Sequence, residues 1–348
     1  MGQEHFDSLI WRVHDYHPEI IKRVVYSIPD LIIQNPESTY ADLAMGGGQF
    51  LQGVLNRCIE LGQSREQILP RLYGFERSKV YLNYARWRNN LQGVNLAILD
   101  PERDLDSVSM KFDVVIGNPP YQGGDLGKAV YKSLWPLFWA KSFSLVKPGG
   151  VISLITPLTW CAPTSDLAKK DAIEGETRLW KVFEKYSTLA DVTTVKNFFP
   201  GVGSSFSAVT VDTSGDSGLT FTNGFSSNLG FYPLSGAEEV QEQLSLTNNI
   251  STNLTVSGRI TPGIRVSLLK TRKVNKTNVE ICQSMEFPKT NAKPTLYSHI
   301  YCKDEKEAEY VRSRILDCAD ILYKHCRYCG FIDLRVLGMI SLNLPQCG

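Results

Sequence analysis

Short runs rich in apolar residues recur along the first half of the chain, and each ends next to a polar side chain. Three such runs span 71–75, 95–99 and 112–116. Their length, and the β-branched and aromatic residues among them, predict buried strands. Stretches with apolar residues at helical spacing lie between the runs. This alternation indicates a parallel sheet covered by crossover helices.

The predicted fold is α/β, with a Rossmann-like, doubly wound sheet that is mostly parallel and has a terminal antiparallel strand. A smaller C-terminal α+β domain follows. Runs at about 189–195 and 207–211 predict the closing antiparallel pair, and from about residue 213 the composition shifts to Ser, Thr, Asn and Gly. We predict a first domain over 1–212 that begins with a helical segment, a linker or loop region over 213–256, and a second domain over 257–348.

The first predicted strand, about 39–43, runs into a glycine-rich turn that opens a helix. The turn is the AMGGG segment from Ala44 to Gly48. A strand, a glycine turn and a helix in this order are typical of nucleoside-type cofactor sites, because the turn brings backbone N–H groups close to the ligand. A plain tight connection is the alternative. Later strands end in Glu76 and Asp100, at the same edge of the predicted sheet.

The strand over 112–116 stops at a rigid segment, Asn118-Pro119-Pro120-Tyr121. A proline restricts the residue before it and leaves its own carbonyl free to accept. The Asn118 side-chain oxygen and the Pro119 carbonyl therefore form two fixed acceptors beside the ring of Tyr121. Two such acceptors can hold the N–H bonds of a planar amino group and aim its lone pair at an electrophile. A simple turn after a strand is the alternative.

Composition limits the partners of the chain. Among the 348 residues, 37 basic side chains nearly balance 36 acidic ones, so a nucleic-acid surface would be a local patch. The first residues do not resemble a signal peptide, and no apolar run is long enough to span a bilayer. Eight scattered cysteines predict reduced thiols in this setting. We expect a cytoplasmic protein without a membrane partner.

The C-terminal part contains a basic stripe. No acid occurs between Gln243 and Val279. The basic residues of that span are Arg259, Arg265, Lys270, Arg272, Lys273 and Lys276. Such a stripe can follow a phosphate backbone, and a solvated loop face is the alternative. Cys326 and Cys329 lack a second close ligand pair, so we predict no metal site.

Together these segments resemble S-adenosylmethionine-dependent amino-group methyltransferases, and among them the N6-adenine DNA methyltransferases of the gamma motif order. In that family the cofactor motifs precede the catalytic one, and a target-recognition domain follows. The resemblance covers about residues 38–212, and the C-terminal part by position only. The family's glycine turn usually reads Asp-Pro-Ala-Cys-Gly-Ser-Gly, from which Leu43 and Met45 depart while the spacing holds. The Phe-Thr-Pro type signature before the first strand is absent, which leaves open what completes the methionine pocket.

The resemblance implies a role for individual residues. Glu76 matches the acid that binds the cofactor ribose, Asp100 the acid that accepts from its adenine amino group, and Phe138 the aromatic that covers this adenine. The residues implied for the cofactor are Asp42, Ala44, Gly46, Gly48, Phe50, Glu76, Asp100, Asn118 and Phe138. The residues implied for catalysis are Asn118, Pro119, Pro120, Tyr121 and Phe199, of which Tyr121 and Phe199 would stack on an extruded base.

The function implied is methyl transfer from S-adenosylmethionine to N6 of a flipped-out adenine in double-stranded DNA. We expect a monomer in a bacterial or phage-infected cell, with a separate restriction enzyme as the partner if the chain is half of a restriction-modification system. Three alternatives stay open. The first is methylation of a glutamine amide in a protein, which uses the same Asn-Pro-Pro-Tyr segment but usually with the extra domain before the cofactor fold. The others are RNA adenine or guanine methylation and a non-enzymatic DNA-binding partner subunit.

Overall fold

The structure of the 348-residue chain is a computed structural model. The residues it describes are 16–100, 103–123, 132–162, 167, 169, 172–192, 195–198, 206–225, 229–233, 237–269, 279–283, 297–326 and 334–342.

Strands and helices alternate through the first half of the chain, as the apolar pattern predicts. The described strands are β1 (Tyr40–Asp42), β2 (Leu72–Glu76), β3 (Asn95–Ile98), β4 (Phe112–Gly117), β5 (Gln122–Gly123), β6 (Lys132–Ser133), β7 (Val146–Pro157), β8 (Ser187–Asp191), β9 (Phe206–Asp212), β10 (Gly218–Phe221), β11 (Thr255–Ser257), β12 (Arg265–Leu269), β13 (Val279–Cys282) and β14 (Tyr297–Tyr301). The described α-helices are α1 (Pro18–Tyr26), α2 (Asp30–Gln34), α3 (Gln49–Glu60), α4 (Arg65–Ile68), α5 (Lys79–Arg88), α6 (Trp135–Leu145), α7 (Leu179–Glu184), α8 (Ala237–Gln243), α9 (Ile250–Asn253), α10 (Glu305–His325) and α11 (Leu334–Gly338).

The chain divides into two compact units. The first comprises Met1–Leu158 and Asp166–Gly224, and the second Thr159–Ser165 and Phe225–Gly348. The division therefore falls later than residue 212, the predicted end of the first domain, because β10 pairs with β8 in the sheet of the first unit. The predicted linker over 213–256 also contains α8 and α9, so it differs from a plain loop region.

The first unit contains an eight-stranded sheet in the order β10-β8-β9-β7-β4-β1-β2-β3. β4 lies between β7 and β1 and is parallel to both. Its residues Val114, Val115 and Ile116 are fully buried, as expected for a central strand with two covered faces. β9 is antiparallel to both β7 and β8, so the antiparallel strand lies inside the sheet and not at its edge. The predicted Rossmann-like, mostly parallel fold is confirmed.

A polar cluster fixes the amino ends of the central strands. Asp113 accepts hydrogen bonds from the backbone N–H and the hydroxyl of Thr39, both at 2.8 Å, and from Lys147 Nζ at 2.7 Å. These contacts join the starts of β1, β4 and β7. β1 and β4 are parallel neighbours, so their carboxyl ends, at Asp42 and Gly117, lie at the opposite edge of the sheet from this cluster. Ligands of open α/β sheets bind at the carboxyl edge.

One helix begins later than the sequence predicts. The apolar residues between about 129 and 146, among them Trp135, Phe138 and Trp139, predict a helix over that span. α6 instead begins at Trp135, and residues 129–131 lie outside the described part of the chain. The physical reason is Pro136, which fits the first helical turn and disrupts any later position.

The second unit contains a four-stranded antiparallel sheet in the order β11-β14-β12-β13, with its own hydrophobic core. Val266 and Ile300 of the sheet share that core with Val311 and Ile315 of α10. This unit is α+β, as predicted.

One residue of the predicted basic stripe, Arg265, is buried in the second unit. Arg265 is 0% exposed, because it lies on β12, which pairs with β13 on one side and β14 on the other. The prediction that it belongs to an exposed stripe is therefore wrong. Arg259 is exposed. The remaining members of the stripe, Lys270, Arg272, Lys273 and Lys276, lie outside the described residues.

Candidate active site

The glycine turn joins β1 to α3 at the carboxyl edge of the sheet. The N–H of Met45 donates to the Phe75 carbonyl at 3.0 Å, which fixes the turn to β2. Gly48 has a φ of 80°, a conformation that favours glycine, and a β-carbon there would also crowd Leu91 Cδ1 at 2.5 Å. A β-carbon at Gly46 would meet no atom within 4 Å. Gly48 thus serves packing, whereas Gly46 faces space that a ligand can fill.

Two acids lie beside this turn. Glu76, the last residue of β2, accepts from the Gly46 N–H at 3.1 Å and from the Ser78 N–H at 2.7 Å. Asp42, the last residue of β1, accepts from the Ala44 N–H at 3.0 Å through Oδ1. Its Oδ2 is buried and has no hydrogen-bond partner among the described residues. A buried acceptor without a donor is costly, and a donor group on a ligand would satisfy it.

Burial raises the pKa of both acids. Loss of hydration raises the pKa of Asp42 to about 7, the Ala44 N–H lowers it in part, and the charge of Glu76 raises it further. Burial is also the main cause that raises the pKa of Glu76, against the hydrogen bonds from Ser78 and Gly46. A cation or hydrogen-bond donor bound here would favour the ionised forms. The pair is therefore suited to amino and hydroxyl groups.

β4 delivers the predicted catalytic segment beside these acids. Gly117, its last residue, has a φ of 148°, and a β-carbon there would lie 2.7 Å from Asp42 Oδ1. Glycine therefore allows the backbone of β4 to approach the Asp42 carboxylate. Asn118 follows directly and is half-buried. The Asn118 segment and the Asp42 carboxylate are thus immediate neighbours.

Both ends of the Asn118 amide are hydrogen bonded. Nδ2 donates to the Tyr16 hydroxyl at 3.0 Å, and Oδ1 accepts from the Tyr121 hydroxyl. The Tyr121 ring stacks on Phe206, with centroids 4.9 Å apart and 28° between the planes. One lone pair of the acceptor that the predicted chemistry requires is therefore used by an internal donor. An amino group that binds Oδ1 would have to compete with the Tyr121 hydroxyl for this oxygen.

The two tyrosines are neutral near pH 7. Burial raises the pKa of Tyr16 to about 12; the Asn118 hydrogen bond lowers it in part and the charge of Asp42 raises it. Burial likewise raises the pKa of Tyr121 well above its ordinary value, and Tyr16 adds to this effect. Neither hydroxyl can act as a phenolate base at neutral pH. Both are hydrogen-bond partners of Asn118.

Further residues implied by the resemblance lie around this centre. Phe50, in the first turn of α3, packs against Tyr16 with ring centroids 5.1 Å apart. Pro119 is buried and Pro120 is exposed.

Three implied residues have no described contact with the Asn118 amide. Asp100 follows β3, is half-buried, and its carboxylate lies 3.8 Å from Arg103 Nε. Phe138 lies within α6 and is 2% exposed. Phe199 lies outside the described residues. The roles of these residues toward a cofactor or a base stay predictions.

Tyr16 is the site residue that sequence reasoning missed. It precedes His17, which caps α1 by accepting from the Glu19 N–H, and Pro18, the first residue of that helix. The His17 ring also lies 5.0 Å from the ring of Phe198. A proline at the first helical position predicts a helix start. The sequence Tyr16-His17-Pro18 therefore marks the start of α1, and from it a helix start close to the site could have been predicted.

Neither a metal site nor a membrane span is found in the part of the chain that the structure describes. No group of three His, Cys, Asp or Glu side chains there could hold a metal ion. Cys326 is buried, which raises the pKa of its thiol to about 12, and Cys329 lies outside the described residues. No described helix has the length and apolar character needed to cross a bilayer.

Comparison with protein families gives one match, in the central part of the chain. Residues 63–184 match the family model described as Eco57I restriction-modification methylase. This segment is about a third of the chain and contains Glu76, Asp100 and the Asn118–Tyr121 segment. The glycine turn lies before it. A search of curated proteins gave no match.

Several solved structures are similar to the chain at low identity. A chain from a study of complex assembly and conformational transition of the type I R-M system is 18% identical, with a TM-score of 0.46 over 65% of this chain and 49% of that chain. The M protein of the type I restriction enzyme EcoKI is 13% identical, with a TM-score of 0.41 over 60% and 48%. An O-methyltransferase from Bacillus cereus in complex with SAH is 16% identical, with a TM-score of 0.39 over 60% and 87%. The chain spans about half the length of the two type I chains, and likenesses this remote carry no argument about its function.

Proposed function

We propose that the protein is an S-adenosylmethionine-dependent DNA methyltransferase that acts on N6 of adenine. The observation that carries the proposal is the contact between Gly117 and the Asp42 carboxylate, which places Asn118 next to the acids beside the glycine turn. The match of residues 63–184 to a restriction-modification methylase model supports the DNA methyltransferase part of this proposal.

The described residues fit S-adenosylmethionine. Its methionine part carries an ammonium group, and Asp42 Oδ2 is a buried acceptor without a donor among the described residues. Its ribose carries two hydroxyls, and Glu76 is a buried carboxylate at the end of β2. We assign its adenine to Asp100 and Phe138. When bound, the cofactor supplies a methyl group on a sulfonium, which is an electrophile that needs no metal to activate it.

The chain itself holds the nitrogen that receives the methyl group. An exocyclic amine is a poor nucleophile, because its lone pair is delocalised into the ring. Asn118 Oδ1 and the Pro119 carbonyl accept its two N–H bonds and so favour a tetrahedral nitrogen with a localised lone pair. No base is needed before attack, since the methylated nitrogen is a strong acid and releases its proton to solvent.

The target base takes the place of an internal contact. The amino group of the base displaces the Tyr121 hydroxyl from Asn118 Oδ1, and the Tyr121 ring is then available to stack on the base. We assign the opposite face of the base to Phe199. An adenine inside a duplex is out of reach, so the enzyme has to extrude it from the DNA. We further propose that the chain acts as a monomer on double-stranded DNA, in a restriction-modification system with a separate restriction enzyme.

Parallel incubation with labelled S-adenosylmethionine and DNA, RNA or total protein tests this proposal. We expect label in DNA, and N6-methyladenine after hydrolysis of that DNA to nucleosides. Label in RNA bases or in a protein glutamine would contradict the DNA assignment and identify the substrate. DNA binding without any transfer would support a non-enzymatic partner subunit instead.

A further inference from the structure

We infer that Tyr16 is a positioning residue whose hydroxyl sets the direction in which the Asn118 amide points. The inference rests on the proposed function, because it assigns a role within the same site. Its basis is the hydrogen bond from Asn118 Nδ2 to the Tyr16 hydroxyl, at 3.0 Å. Tyr16 would act through Asn118 and would not touch the reacting atoms.

The direction of the amide decides whether Asn118 can hold an amino group. The two ends of an asparagine amide have nearly the same shape, but one accepts hydrogen bonds and the other donates them. Only Oδ1 can accept an N–H of the target base. In the reverse orientation two donors would face each other, and the grip on the nitrogen would be lost. A partner that holds Nδ2 therefore keeps the acceptor toward the target.

Tyr16 is well placed to act as the acceptor in this bond. A hydroxyl oxygen has two lone pairs, so the Tyr16 hydroxyl can accept from Asn118 Nδ2 whichever group takes its own proton. The hydroxyl is also fixed in space, because the half-buried Tyr16 ring packs on Phe50 of α3. A residue just before α1 thus holds the orientation of the Asn118 amide.

The bond to Tyr16 has its greatest effect once the target has arrived. Before that, Asn118 has two internal partners, since Tyr121 donates to Oδ1 while Tyr16 accepts from Nδ2. The incoming amino group replaces the Tyr121 hydroxyl. After that, of the two hydrogen bonds described above, the one to the Tyr16 hydroxyl still holds the Asn118 amide in place.

Replacement of Tyr16 by phenylalanine tests the role of the hydroxyl, because Tyr16→Phe keeps the ring on Phe50. We expect kcat for DNA methylation to fall about tenfold, as for the loss of one buried hydrogen bond that orients a reacting group. The KM for DNA and the Kd for S-adenosylmethionine should stay within about twofold, since phosphate contacts dominate the affinity for DNA and the cofactor does not depend on the amide direction.

Tyr40→Phe is the matched control. The Tyr40 hydroxyl is also buried in the first unit, at the amino end of β1, and donates to the carbonyls of Ile32 at 3.3 Å and Ile33 at 3.4 Å. Its removal should lower thermal stability without a change in kcat. Equal losses of kcat in the two variants would show a general structural effect and would overturn the inference.

A double variant separates positioning from other roles. In an Asn118→Ala background the Tyr16 hydroxyl has lost the amide that it orients. Tyr16→Phe should then cause no further loss in the single-turnover rate of transfer. A full additional loss in that background, or wild-type kcat in Tyr16→Phe alone, would overturn the inference.

Four of these proteins, namely the wild type, Tyr16→Phe, Asn118→Ala and the double variant, also keep the two proposals distinguishable. If the wild type methylates no substrate at all, the proposed function fails, and the hydrogen bond is then tested by thermal unfolding. The decrease in melting temperature caused by Tyr16→Phe should largely disappear in the Asn118→Ala background. Additive decreases would show that the two side chains do not interact and would overturn the inference independently of activity.

Discussion

The Glu76 carboxylate accepts a hydrogen bond from the backbone N–H of Gly46 at 3.1 Å, and so joins the end of β2 to the glycine turn after β1. The second carboxylate oxygen of Glu76 accepts from the Ser78 N–H, at the start of α5. The acid is therefore held by two backbone donors beside the open space at Gly46. Residues separated by 30 positions in sequence form one wall of the proposed cofactor site.

Glu76→Gln should weaken cofactor binding. The change removes the charge that we propose accepts from the ribose hydroxyls, and it weakens the hydrogen bond with the Gly46 N–H. We expect the Kd for S-adenosylmethionine to rise about 10- to 100-fold, as for the loss of a charged hydrogen bond. Isothermal titration calorimetry measures this, with Glu66→Gln, an exposed acid in α4, as the control. Unchanged affinity in Glu76→Gln would place the ribose elsewhere.

Asp42 should make stability depend on pH. Its pKa is about 7 in the folded protein, against 3.8 for an ordinary aspartate. Because the folded state holds this proton more tightly than the unfolded state, the resulting stabilisation is fully present below about pH 4. It is lost as the pH rises through about 7.

Asp42→Asn removes this titration and keeps the shape of the side chain. The melting temperature of the variant relative to wild type should therefore increase between about pH 5 and about pH 8, with both proteins free of cofactor. Thermal unfolding at several pH values measures the difference. Glu76, whose pKa is also raised by burial, is present in both proteins and is therefore part of both curves. A difference that does not vary with pH would show that Asp42 is ionised throughout this range.

The ring and the hydroxyl of Tyr121 should have separable effects. Tyr121→Phe keeps the ring beside Phe206 and removes a hydroxyl that, in our proposal, competes with the target for Asn118 Oδ1, so we expect single-turnover transfer within about threefold of wild type. Tyr121→Ala removes the stacking surface and should slow transfer about 10- to 100-fold, because stacking on a base contributes on the order of 1–3 kcal/mol. Equal losses in both variants would mean that the hydroxyl itself is required.

The remaining part of the basic stripe predicts how DNA binding responds to salt. Simultaneous replacement of Arg272, Lys273 and Lys276 by glutamine should weaken binding and lower the slope of log K against log salt by about 2.7, since each phosphate that a basic side chain neutralises adds about 0.9 to this slope. Fluorescence anisotropy over a range of salt concentrations measures this slope. The control replaces Lys303 and Lys306, exposed residues near the start of α10. An unchanged slope in the triple variant would show that the stripe does not bind DNA.

The parts of the site that follow from local sequence were predictable. Strand β4 and its abrupt end are set by a buried β-branched run followed by two prolines, which act within a few residues. The acids Glu76 and Asp100 could be placed because parallel strands bring their carboxyl ends to one edge of the sheet. These positions depend on chain order alone.

The parts that depend on packing between distant segments were not predictable. The hydrogen bond between Tyr16 and Asn118 spans 102 positions and depends on how the start of α1 enters the site. Arg265 was assigned to an exposed stripe because its charge suggests solvent, but the strands on both sides of β12 bury it. In both cases tertiary contacts, and not local pattern, decide the environment of the side chain.

The central claim is that the Asn118 side chain holds the nitrogen that receives the methyl group. It is tested most directly by the single-turnover rate of methyl transfer to DNA in Asn118→Ala, measured together with the Kd for S-adenosylmethionine. We predict a Kd within about twofold of wild type and a rate lower by about 100-fold or more, as expected when a group that stabilises charge in the transition state is removed. A rate close to that of the wild type, with the cofactor bound normally, would contradict the claim.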